Sequence, residues 1–83
     1  MTYDEIWGIA FERVRDYFAA QPDTQQLSDT AFRFGNADIL IEALPEKHLG
    51  SMRIKQSRIV IRGEADADDI HHRFYMRFLS AGG

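Results

Sequence analysis

The segment SMRIKQSRIVIRG, from Ser51 to Gly63, has the clearest chemical character in this sequence. It contains four basic residues and no acidic one, although the chain has a formal net charge of −3. From Lys47 to Arg62, five of the ten basic residues fall within sixteen positions that contain no acid. Local positive charge of this kind attracts anionic partners, but basic residues are also common on solvated strands. The segment therefore predicts either a binding surface or a solvent-exposed sheet face.

The remaining reactive residue types do not form a recognisable catalytic motif. Cysteine is absent, which excludes disulfides, thiolate metal sites and cysteine nucleophiles. His71 and His72 are adjacent in a predicted helix, so their side chains point about 100° apart and cannot share one site. His71 borders the apolar stripe and is predicted to be packed, while His48 lies in a connection. We expect no catalytic residues, no metal site, no cofactor and no enzyme activity.

Length and composition indicate one small globular domain spanning residues 1–83. Apolar residues make up 45% of the chain and charged residues 28%, a balance typical of folded proteins. The beginning, MTYDEIWGIA, lacks both a basic leader and a signal-like apolar run. No window approaches the roughly 20 apolar residues of a membrane span. We expect a cytoplasmic protein that has no membrane partner.

The first predicted element is a helix from Tyr3 to Ala20. Its apolar residues fall on one arc at a 3.6-residue period, and Thr2 with Glu5 resembles a capping box. Pro22 would end the helix, because proline lacks a backbone N–H.

A hairpin is predicted next, with its turn at Gly35-Asn36. That turn pairs Phe34 with Ala37, Arg33 with Asp38, Phe32 with Ile39 and Thr30 with Ile41. The apolar members then share one face, and opposite charges meet on the other.

The stretch ALPEKHLG, which contains Pro45 and Gly50, is predicted to be a connection. In the basic segment, Met52 and Ile54 are out of phase with Ile59 and Ile61. A turn at Gln56-Ser57 would repair the phase, as would a bulge in one long strand. With the turn, the outward residues would be Arg53, Lys55, Arg58, Val60 and Arg62.

A second helix is predicted from about Asp66 to Leu79, with Ala67, Ile70, Phe74 and Phe78 buried and acidic residues at its start. Residues 80–83 are expected to be a flexible tail. The predicted fold is α+β, helix, three- or four-stranded antiparallel sheet, helix, with both helices packed on one sheet face. The predicted core consists of Trp7, Phe11, Val14, Phe18, Phe32, Ile39, Ile41, Ile54, Ile59, Ile61, Phe74 and Phe78.

The other sheet face is the predicted binding surface. It would combine charge from Arg53, Lys55, Arg58 and Arg62 with apolar contact from Leu40 and Leu44. Mixed surfaces of this kind are typical of protein interfaces, so we expect a non-catalytic domain that binds a protein partner or a second copy of itself.

Two alternatives use other features of the sequence. The order helix, strands, helix resembles the double-stranded-RNA-binding domain, and the same cations could hold nucleic acid. However, the second helix begins EADADD where that family has lysines. The terminal Gly82-Gly83 resembles the tail of ubiquitin-like sulfur carriers, which would make the chain a carrier protein.

Overall fold

The computed structural model describes residues 1–79, which form an α+β domain with two helices and one five-stranded antiparallel sheet. The elements in chain order are β1 (Thr2–Trp7), α1 (Phe11–Ala20), β2 (Thr24–Gln26), β3 (Ala31–Phe34), β4 (Ala37–Leu49), β5 (Met52–Arg62) and α2 (Ala65–Leu79). The strand order in the sheet is β1-β5-β4-β3-β2. The predicted α+β class is confirmed, but the sheet has five strands instead of three or four.

The first half of the predicted first helix is the strand β1, so that part of the prediction is wrong. β1 pairs with β5 from Thr2 opposite Arg62 to Trp7 opposite Ser57. Aromatic and β-branched residues favour strands, and this pairing satisfies a backbone edge of β5 that a helix would leave open. The helix α1 starts only at Phe11, after Gly8 and Ile9, and Ala10 at its N-terminus provides no side-chain cap. The Thr2–Glu5 capping box therefore does not exist.

The hairpin at Gly35-Asn36 is confirmed in its turn and its register. Phe34 pairs with Ala37, Arg33 with Asp38 and Phe32 with Ile39. Gly35 has a φ of +58°, a conformation that glycine adopts without a steric penalty. The short strand β2, which the sequence did not predict, pairs with β3 and forms one edge of the sheet.

The predicted connection ALPEKHLG and the predicted turn at Gln56-Ser57 are both wrong. β4 runs through this stretch to Leu49, and the chain reverses at Gly50-Ser51 before β5 begins. Pro45 lies where the register shifts between Leu44 and Lys47, as expected for a proline at a bulge. The bulge is thus in β4, and β5 is one continuous strand.

The core lies on one face of the sheet, where side chains from both helices meet it. Phe18 of α1 stacks on Phe74 of α2 at 5.4 Å between ring centroids, and Phe18 also contacts Phe32 of β3. The buried stripe predicted for α2 is confirmed. Most of the predicted core is buried, while Trp7 and Phe11 are partly buried against it. Ile54 is only half-buried and lies outside the core.

Candidate interaction face

We call the sheet face opposite the helices the outer face. Directly opposed residues of an antiparallel pair lie on the same side of a sheet, so the strand register arranges the outer face in rows. One charged row contains Thr2, Arg62, Asp38 and Arg33; the middle row contains Asp4, Val60, Leu40 and Ala31; and the next contains Ile6, Arg58 and Glu42.

The middle row is apolar at its centre. Val60 is only 7% exposed although it lies on the face that no helix covers. It is flanked by Asp4 and Leu40 on the neighbouring strands, and by Arg58 and Arg62 along β5. Leu40 itself is 46% exposed. The long side chains around Val60 shelter it, and Leu40 presents apolar surface beside it.

The charged side chains around this centre are largely paired. Arg58 donates two hydrogen bonds to Asp4, Nε to Oδ1 at 2.9 Å and Nη2 to Oδ2 at 2.6 Å. Its Nη1 also lies 3.9 Å from Glu42 Oε1. Arg33 donates to Asp38 at 2.8 Å. Two arginines thus contact three acids, and Arg62, which forms no ion pair, brings the face to three arginines and three acids.

The Asp4–Arg58 pair changes the acidity of both groups. The hydrogen bonds from Arg58 lower the pKa of the Asp4 carboxyl below its ordinary value of 3.8, and the charges of Arg58 and Arg62 act in the same direction. Asp4 in turn raises the pKa of the Arg58 guanidinium. Each group thus stabilises the charged form of the other.

An open groove begins on the outer face and reaches around the edge of β4 to α1. It has a volume of about 480 Å³, and its lining includes Leu40, Val60 and Arg58. Phe11 and Thr30 also line it. A second depression of about 210 Å³ shares Leu40 and Val60 with the first. Leu40 therefore lines two solvent-accessible depressions beside the sheltered Val60.

The structure brings together only some of the predicted site residues. Arg58, Arg62 and Leu40 share the outer face, and Leu44 lies opposite Gln56 farther along it. Because β5 is continuous, Arg53 and Lys55 alternate with these positions and point to the other side. The prediction that all four cations point outward on one sheet face is therefore wrong.

Arg53 and Lys55 belong to a projection that we call the arm, residues 44–56. β5 is paired with β1 only as far as Ser57, and β4 is paired with β3 only as far as Leu40. Within the arm, β4 and β5 pair with each other alone and form a two-stranded ribbon. On one side His48 lies opposite Arg53, and on the other Leu49 lies opposite Met52. Both tip residues, Leu49 and Met52, are exposed.

The arm carries three of the six lysine and arginine side chains in residues 1–79 that form no ion pair. Lys47, Arg53 and Lys55 of the arm have no acidic oxygen within 4.0 Å, and the same holds for Arg13, Arg62 and Arg77 elsewhere in the described residues. The arginines of the two helices, by contrast, lie over aromatic rings. The acids that begin α2 are at the opposite end of β5, since Arg62 leads into that helix. The basic arm and the acidic start of α2 thus lie at opposite ends of β5.

The packed histidine predicted at position 71 is in a polar cluster beneath α2. The His71 ring stacks on Tyr3 at 3.8 Å, and its Nε2 lies 3.0 Å from Glu5 Oε1. Tyr3 donates its hydroxyl hydrogen to Asp68, and this bond raises the pKa of Tyr3 above 10.0. These contacts tie β1 to α2.

Two residues of the outer face, Asp4 and Ile6, were missed by sequence reasoning. Both were assigned to a helix, because the apolar residues around them also fit a helical period. Gly8, directly after Trp7, was the available sign of a strand end. Without β1, Arg58 had no visible acidic partner on a neighbouring strand.

Within residues 1–79, no group of three His, Cys, Asp or Glu side chains is arranged to hold a metal ion. Neither helix in that range combines the length and hydrophobicity that crossing a bilayer requires. Comparison of the chain with protein-family models found no match, and comparison with curated proteins found none either.

Proposed function

We propose that this chain is a non-catalytic interaction domain that binds a protein partner, or a second copy of itself, through the outer face. The observation that carries the proposal is the apolar centre of this face, where Leu40 is 46% exposed beside the sheltered Val60, within a rim of three arginines and three acids. Protein interfaces combine an apolar centre with a polar rim. The cytoplasmic location predicted from the sequence is part of this proposal.

The charge pattern favours a protein over nucleic acid on this face. Arg58 and Arg33 already contact acidic groups, so a phosphate would have to compete with Asp4 and Asp38 for them. The described strand residues of the outer face also include no aromatic side chain on which a base could stack.

A second candidate function, nucleic-acid binding, is favoured by the arm instead. Its three unpaired cations lie on a two-stranded ribbon, a shape that the major groove of DNA admits. Fluorescence anisotropy with a labelled duplex and a labelled single strand, at low and near-physiological salt, tests this candidate. Arg53→Ala and Lys55→Ala should both weaken binding, whereas Arg58→Ala should have little effect. Equal weakening by all three substitutions, or no binding at low salt, contradicts it.

The third candidate, a Gly-Gly carrier, depends on residues outside the described range. It stays a prediction, and deletion of Gly83 tests it. If the chain is a carrier, deletion of Gly83 should abolish its carrier activity and leave its unfolding transition unchanged.

Site-specific photocrosslinking in the source cells tests the leading proposal. A photoreactive amino acid replaces Leu40 in the outer face, and a control replaces Met76, which is 56% exposed on α2. The proposal expects a protein adduct from position 40 that is several-fold stronger than from position 76. Equal labelling from both positions, or adducts to nucleic acid alone, would refute it.

A further inference from the structure

We propose that the occupant of the outer face is a second copy of this chain, packed face to face about a two-fold axis that runs parallel to β4 and β5 and between them. This inference rests on the proposed function and specifies its partner. The occupant follows from the distribution of charge and apolar surface across these two strands.

The two strands carry opposite charges at corresponding positions. Arg62 on β5 lies opposite Asp38 on β4, and Arg58 lies opposite Glu42. Between these two pairs, Val60 lies opposite Leu40. Every β5 cation of the five-stranded region thus has an acidic counterpart on β4, and the apolar pair is in the middle.

A two-fold axis between the strands exchanges β4 with β5 across the interface. Each Arg58 then faces the Glu42 of the second copy, each Arg62 faces its Asp38, and each Val60 faces its Leu40. The four charges of each such cluster alternate in sign, so they attract across the interface. Because the same patch is used by both copies, the contact is isologous and the assembly closes as a dimer.

Other orientations of the two faces are less favourable. If the axis ran perpendicular to the strands through the Val60 row, Arg58 would face Arg62 and Glu42 would face Asp38. Like charges would then meet at both ends of the interface. The charge pattern therefore selects one arrangement of the two sheets. It also agrees with the aligned packing of β-sandwiches, where strand directions stay within about 30°.

The area of the outer face indicates how strongly two copies are expected to associate. With about 3.3 Å per residue and about 4.8 Å between strands, the face covers on the order of 500 Å² per protomer. Two such faces give about 1,000 Å², near the lower limit for a specific interface. We therefore expect a reversible dimer whose population depends on protein concentration.

Sedimentation velocity of the purified full chain, from about 5 to about 500 μM, tests the inference. The weight-average mass should rise from the monomer value of 9.6 kDa towards twice that value. Arg58→Glu and Glu42→Arg should each abolish the rise, because each places like charges across the axis. A 1:1 mixture of the two variants should regain it, since both cross-interface pairs again have opposite signs. Met76→Asp, on the helix side, should leave association unchanged.

Folding of each variant is checked by circular dichroism and by its urea midpoint, because Arg58 also pairs with Asp4. If Arg58→Glu does not fold, Arg62→Glu with Asp38→Arg gives the same test. A wild type that stays monomeric throughout the range would overturn the inference. So would a dimer that both charge variants preserve, or a mixture that stays monomeric.

The proposed protein-binding function and the inference that the partner is a second copy can be refuted separately. A monomer in solution combined with a position-40 adduct to a different protein would refute the second copy and leave the proposed function intact. A monomer combined with no preference for position 40 in the crosslinking experiment would refute both.

Discussion

Ser57 provides a sensitive test of the continuous strand β5. Its side chain is fully buried, and its hydroxyl donates a hydrogen bond of 2.6 Å to the carbonyl oxygen of Ile9. Ser57→Ala removes this bond and leaves the buried carbonyl without that donor. The bond itself contributes about 0.5–1.5 kcal/mol, and an unsatisfied buried acceptor costs about 1–3 kcal/mol. We expect the free energy of unfolding to fall by about 2 kcal/mol, and Tm to fall by roughly 8–16 °C for a domain of this size.

Urea denaturation followed by Trp7 fluorescence and by far-ultraviolet circular dichroism measures this loss. The slope of the unfolding free energy against urea should be unchanged, since the surface exposed on unfolding is the same. Ser51→Ala is the matched control, because Ser51 is exposed in the turn between β4 and β5. It should change stability by less than about 0.5 kcal/mol. If the two variants behave alike, Ser57 is not buried against Ile9 and the description of β5 is wrong.

Two further predictions concern an ion pair and a turn. Because Arg58 holds the pKa of Asp4 below 3.8, the stabilisation from this pair is present above that pH and is lost as the pH falls through the lower, folded-state pKa. A carboxyl NMR titration should show this low pKa, and Arg58→Gln should raise it; an unchanged titration in that variant would contradict the pairing. Gly35→Ala should cost about 0.5–1.5 kcal/mol more than Gly50→Ala, measured by urea denaturation, because the Asp66 carboxylate would have to move away from the Asn36 N–H that donates to it. Both glycines have positive φ, which costs other residues about 1–2 kcal/mol. Only at Gly35 would a methyl group also meet the Asp66 carboxylate, and equal costs would refute that contact.

Sequence patterns gave correct predictions where the interacting residues are close together in the chain. The Gly35-Asn36 turn fixed the register of its hairpin, because a two-residue connection leaves little freedom to the flanking strands. The stripe of α2 was equally clear, since Ile70, Phe74 and Phe78 recur at helical spacing and all three are buried. The basic character of the arm was also visible in the sequence.

Predictions failed where two structures fitted the local sequence pattern equally well and pairing with a strand distant in the chain decided between them. Residues 3–7 fit a helical arc, but they form β1 because β5 offers an open edge to them. The apolar residues of β5 change phase, and a turn was inferred to bring them to one face. Instead, Ile59 and Ile61 lie in the core while Met52 and Ile54 continue along the outer face and the arm. A strand that extends beyond its sheet need not keep one apolar face.

The α+β class, the central hairpin, the second helix, most of the core and the excess of positive charge between residues 47 and 62 all follow from local sequence patterns. Which of those charges act together depends on how the strands pair in the folded chain. Strand pairing puts Arg58 beside Asp4, which is 54 positions away in the chain, and it divides the cations between the outer face and the arm. Side-chain direction alternates along a strand, so consecutive cations point to opposite faces. The acidic residues that pair with those cations lie on the neighbouring strands. Charge content is a property of the sequence, but the surface on which it is presented depends on strand continuity and strand order.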